Sequence, residues 1–156
     1  MAKRVIIALM DGVRPDAITQ IRHPFFEKLT RGGSCCMTGR TVAPPRAFPA
    51  HISLFTSVDP GQHGIVTNDI RPFPRSFAGL MQILREAGKQ TAAVVIWEQL
   101  CSVGRSEDMT VPMFCTGSLF PAGRAAENWS LLDIAPTVCK CLDVEIPGQF
   151  AGKSLI

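Results

Sequence analysis

A chain of 156 residues, 46% hydrophobic and 19% charged, is long enough for one domain with a buried core and too apolar to be disordered. No run approaches the roughly 20 apolar residues of a membrane-spanning helix, and a formal charge of +3 spread along the chain does not argue for nucleic acid. The cysteines, Cys35, Cys36, Cys101, Cys115, Cys139 and Cys141, form no C-x-x-C pair, which favours buried, reduced thiols in a cytoplasmic protein over a disulfide or zinc framework.

In chain order, Arg4–Met10 (RVIIALM) is too short for the apolar core of a signal peptide and is stopped by Asp11; it reads as a buried strand covered on both faces. A polar turn containing Pro15 follows, then a helix over Pro24–Leu29 closed by Gly32-Gly33, and a strand over Ser34–Val42. Pro44-Pro45 interrupts regular structure. The next helix should start almost at Ala47, with Pro49 in its first turn, and run to about Thr56. Asp59-Pro60-Gly61 is a turn. Phe77–Ala87 has apolar residues at helical spacing, capped by Gly88, and Thr91–Trp97 (TAAVVIW) is a second buried strand. Val111–Cys115 is a further short apolar run, and Leu131–Leu142 a last helix interrupted near Pro136. Strand, helix and strand in succession predict an α/β fold with a mostly parallel sheet flanked by helices.

The positions that could carry chemistry lie at the ends of these elements. Asp11 follows a strand, at the sheet edge where open α/β folds collect ligands, although an aspartate there also serves as a cap or turn former. Arg4, Arg14, Arg22, Arg31, Arg40 and Arg46 crowd the first third of the chain, which suits a phosphate-bearing ligand or an ordinary solvated surface. The stretch Thr41–Asn68, TVAPPRAFPAHISLFTSVDPGQHGIVTN, is far more specific.

With Asp11-Gly12, Pro44, Phe48-Pro49-Ala50-His51, Pro60-Gly-Gln-His63-Gly64-Ile65 and Asn68 in this order, the chain resembles the type I phosphodiesterase and nucleotide pyrophosphatase branch of the alkaline phosphatase superfamily. Phe77–Glu98 looks like the helix and strand that follow in a bacterial subgroup. Ser106–Phe114 resembles a strand beyond the family's last metal motifs, and Leu132–Thr137 with Gly152-Lys-Ser-Leu its closing segment. The resemblance therefore implies one alkaline-phosphatase-like domain over 1–156 that lacks its middle section, a piece over 1–103 joined to a piece over 106–156. It also implies a phosphate-containing small molecule as ligand and a divalent metal, zinc or manganese, as cofactor. Asp11 matches a metal ligand and Asn68 a phosphate contact, with Arg46 beside it. In such a site two cations clamp a phosphoryl group and activate a hydroxyl nucleophile at a helix start, whose N–H groups favour the anion.

Two departures set the functional expectation. Ala47 stands at the nucleophile's place and has no atom with which to attack phosphorus. The family's Asp-x-x-x-His element, Asp-His pair and later His are missing, and of His23, His51 and His63 neither His51 nor His63 matches a metal ligand. His51 is expected to pack on its helix or bond a neighbouring loop, and His63 to brace the His-Gly-Ile turn. The resulting expectation is a family member without catalysis, or alternatively a phosphate-binding or protein-interaction module. A third route would gather one cation on Asp11 with Asp16 or Asp69. Loss of a central unit would expose strand edges or apolar helix faces, which is compatible with a homo-oligomer or a partner.

Overall fold

The structure is a computed structural model and describes residues 3–10, 12–69, 77–93 and 110–156. Asp11, Glu98, Cys101 and Ser106–Met109 lie outside the described residues, as does most of the strand expected over Thr91–Trp97; its residues 91–93 form no regular element.

Pro15 and Pro24 both sit at the first position of a helix, where the ring's fixed φ is an advantage and an N–H is not needed. The helices are α1 (Pro15–Ile21) and α2 (Pro24–Gly32). The sequence reading expected only a turn at Pro15; the proline initiates a helix instead. His23 caps α2, its Nδ1 accepting from the Phe25 N–H at 3.2 Å.

Three strands follow: β1 (Gly33–Arg40), β2 (Thr110–Thr116) and the two-residue β3 (Arg124–Ala125), in the order β2-β1-β3. β1 runs antiparallel to β2, from Gly33 opposite Thr116 to Arg40 opposite Thr110 with an irregularity between Cys36 and Gly39, and parallel to β3. The sheet is thus small and mixed, not mostly parallel as expected. An apolar run reports that a strand is covered; it carries no information about the direction of its neighbour.

The segment Arg4–Met10 is a second correction. It joins no strand among the described residues, and Ile6 is 91% exposed. Ile7 alone packs, half-buried, against the core. A two-sided apolar strand is buried only when a neighbouring strand and a covering layer are supplied, and no described residue covers the Ile6 side.

The remaining helices are α3 (Ala47–Thr56), α4 (Pro60–His63), α5 (Leu80–Glu86) and α6 (Ile134–Cys141), the last preceded by a 3₁₀ turn over Leu131–Asp133. Pro136 does not interrupt α6 as expected: it falls in the first turn, where the missing N–H has no intrahelical partner to lose. One core cluster joins Leu80, Ile83 and Leu84 of α5 to Ala135, Val138 and Cys139 of α6; a second joins Cys36, Met113 and Trp129. Cys35, Cys36 and Cys139 are buried free thiols that pack in the core, and burial pushes the Cys115 thiol up to about 11, which disfavours its thiolate.

A buried polar clasp ties the last segment to the rest. The Ser57 hydroxyl donates to the Leu132 carbonyl at 2.6 Å and accepts from the Gly152 N–H at 2.9 Å, while the Ser57 carbonyl accepts from the Ala151 N–H at 2.7 Å. Asp133, 4% exposed, accepts from the Ser130 N–H and the Lys153 N–H, both at 2.9 Å. Thr137 donates to the Asp133 carbonyl at 2.6 Å and accepts from the Leu155 N–H at 3.0 Å. A Cβ on Gly152 would collide with the Leu132 carbonyl. Gly152→Ala should therefore lower stability by about 2 kcal/mol. Asp133→Ala, which leaves two N–H groups without their acceptor, should cost at least as much. Both are read from the urea midpoint at unchanged m-value.

Candidate functional site at the start of α3

The helix begins at Ala47, as the sequence predicts. Arg46 precedes it in extended conformation (φ −113°, ψ 147°), and its carbonyl accepts the first helical bond from the Ala50 N–H at 3.0 Å. The Arg46 N–H donates to the Pro44 carbonyl at 2.8 Å, which fixes the approach of the Pro-rich loop. The Arg46 side chain is exposed and makes no capping bond.

Asn68 reaches this helix start from the turn after α4: its Oδ1 accepts from the Phe48 N–H at 3.1 Å. Arg46, Ala47 and Asn68 are therefore brought together. The sequence reading missed what Asn68 does there. It occupies one of the first-turn N–H groups that an anion would use, and Pro49 has none to offer, so of Ala47, Phe48 and Pro49 only Ala47 can present an N–H to a ligand. With its carbonyl oxygen engaged, the Asn68 amide retains two N–H donors.

The turn that carries Asn68 follows α4, and Asp59-Pro60-Gly61, where the sequence predicts only a turn, opens that helix. Asp59 caps α4 by accepting from the Gly61 N–H at 3.0 Å, Pro60 starts the helix, and Gly64 ends it with φ 74°, a value that glycine adopts without the cost a Cβ would impose. His63 is fully buried. Its Nδ1 accepts from the Ile65 N–H at 3.1 Å, so the neutral ring carries its proton on Nε2, which faces the Ser53 hydroxyl at 3.0 Å. This is the turn-bracing role expected for His63. It also disposes of a serine–histidine dyad, because a ring that donates toward the serine oxygen is not its base, and Ser53 is itself fully buried.

Two other hydroxyls near Ala47, those of Thr56 and Thr67, are committed to local structure. Thr56 donates to the Ile52 carbonyl at 2.8 Å and Thr67 to the Asp69 carboxylate at 2.9 Å. Asp16 is paired with Arg14 at 3.0 Å, which holds its carboxyl below the usual range, and Asp69 belongs to the Thr67 turn. His51 is half-buried on α3. Among the described residues, no three His, Cys, Asp or Glu side chains come together in a way that could hold a metal ion. The donor set described does not fit the zinc or manganese centre implied by the resemblance, and Asp11 lies outside the described residues. An open cleft of about 430 Å³, lined in part by Arg40, Thr41, Asp59, Asn128 and Ser130, lies beside the segment leading into α3. None of Arg46, Ala47 and Asn68 lines it, although Arg40 belongs to the arginines of the first third of the chain.

Among the described residues, no helix is long and apolar enough to cross a membrane. Comparison with curated proteins and with solved structures gave no match. A family model, type I phosphodiesterase / nucleotide pyrophosphatase, matches residues 5–116, more than two thirds of the chain. That span holds both the helix start at Ala47 and the turn that delivers Asn68, and the chain belongs to this family.

Proposed function

We propose that the chain is an internally shortened member of this family that does not catalyse phosphate-ester hydrolysis. The observation that carries the reading is Ala47: the first residue of α3 presents a methyl group where the family mechanism needs a nucleophilic oxygen. The histidines support it. His23 and His63 each accept a backbone N–H through Nδ1, and His63 is held at both nitrogens. A catalytic metal site draws on about three or four protein ligands, and the described residues gather no such set.

A second reading, a phosphate-binding module without chemistry, is supported by the Arg46 side chain and the amide donors of Asn68 at one helix start. The Phe48 N–H bond to Asn68 and the proline at position 49 weigh against tight binding.

The test is hydrolysis of an aryl phosphodiester and an aryl phosphomonoester by purified chain with zinc, manganese or magnesium, beside the Ala47→Thr variant. Neither should turn over. Turnover by the unmodified chain would contradict the proposal, and turnover by the variant alone would confine the defect to the nucleophile. For Asn68, Asn68→Ala should cost about 1 kcal/mol by removing the acceptor at the helix start. Asn68→Asp, which keeps an acceptor and sets a negative charge near the positive helix end, should cost less or stabilise. Urea unfolding of the three proteins distinguishes these outcomes.

A further inference from the structure

The 64–69 turn is pinned at both ends by a backbone N–H on a side-chain acceptor. At the near end His63 Nδ1 holds the Ile65 N–H at 3.1 Å, and at the far end Asn68 Oδ1 holds the Phe48 N–H, also at 3.1 Å. Ile65 is buried, but Gly64, Val66, Asn68 and Asp69 are exposed, so little packing of the turn's own holds it. The near-end acceptor is titratable. Protonation would put an N–H on Nδ1 facing the Ile65 N–H, donor against donor, at a residue 0% exposed to solvent.

We propose that protonation of His63 frees the 64–69 turn and withdraws Asn68 from the Phe48 N–H, uncovering the start of α3 under acid conditions. Among the described residues, the groups facing His63 come from α3 and α4. Asp59, on the same short helix, favours the charged ring; α3, which packs against α4, presents Ser53 and the Pro49 backbone to it and carries His51 as its own titratable group.

Burial outweighs Asp59 and holds the His63 ring below its ordinary value of 6.5. The sign follows. Above pH 6.5 both states are neutral and the closed turn keeps its full stability. Below it the opened turn takes the proton more readily than the closed one, so the open fraction rises as pH falls, by up to about tenfold per pH unit for one proton. The device does not depend on whether the uncovered helix start binds an anion.

Amide hydrogen exchange of the full chain, followed by NMR between about pH 7 and about pH 5 and expressed as protection factors, tests it directly. Protection of the Phe48 and Ile65 amides should fall together as pH falls, by no more than about tenfold per pH unit, while Val138 and Cys139 in α6 keep theirs. His63→Asn, which retains a carbonyl acceptor and cannot titrate in this range, should flatten both dependences. If that variant does not fold, Asn68→Ala serves. There the Ile65 amide should remain pH-dependent, while the Phe48 amide should be less protected than in the unmodified chain and no longer follow pH. The proposal is overturned if Phe48 protection does not change with pH, if Phe48, Ile65 and Val138 lose protection together as in global unfolding, or if Asn68→Ala leaves Phe48 as protected and as pH-dependent as in the unmodified chain.

Discussion

Ser57 is where three distant parts of the chain meet. It closes α3 in the left-handed conformation (φ 51°), and its hydroxyl is both donor to Leu132 and acceptor from Gly152. A hydroxyl so placed is satisfied only when all three segments are present, and leaving it buried without them costs the desolvation of each group involved. The orientation of α3, and hence everything at its start, depends on that closure. Asp133 and Thr137 extend it along the last residues, which places the closing segment against α3 and α6 through directional bonds as well as apolar packing.

From this anchor the candidate site can be followed backwards along α3. Ser53, one turn before Ser57, meets His63; His63 sets the turn after α4; the turn delivers Asn68 to Phe48 at the helix start. Of these links only the Ile65 N–H bond to His63 Nδ1 requires the neutral ring; the Ser53 contact, made through Nε2–H, does not. The family architecture around the helix start is therefore built without help from a reacting group: an alanine methyl stands at position 47, and backbone donors around it are partly spent on the protein itself.

Much of this was legible in the residues. Pro49 and the following apolar positions marked α3 at both ends, and the Pro-x-x-His-Gly-Ile spacing marked the turn and the bracing role of His63. The sheet was less legible. The run Val111–Cys115 fixed a strand but not its antiparallel pairing with β1, because direction is set by how the intervening chain returns. Arg4–Met10 has the composition of a covered strand, yet burial is a property of neighbours, and none of the described residues supplies a layer over Ile6. Pro15 was ambiguous between turn and helix start, and Pro136 between break and first turn, since a single proline is equally at home in either. The Asn68 bond to Phe48 joins residues far apart in sequence, and no local pattern encodes which end of an amide faces a helix.

The central claim is that this member of the family keeps the helix start but no group there able to attack phosphorus. Intact-mass spectrometry of the chain after incubation with an activated aryl phosphodiester and zinc or manganese addresses the covalent step by itself. The account predicts an unmodified mass. A stoichiometric phosphoryl or nucleotidyl adduct, mapped to Thr41, Ser53, Thr56 or any other hydroxyl, would contradict it.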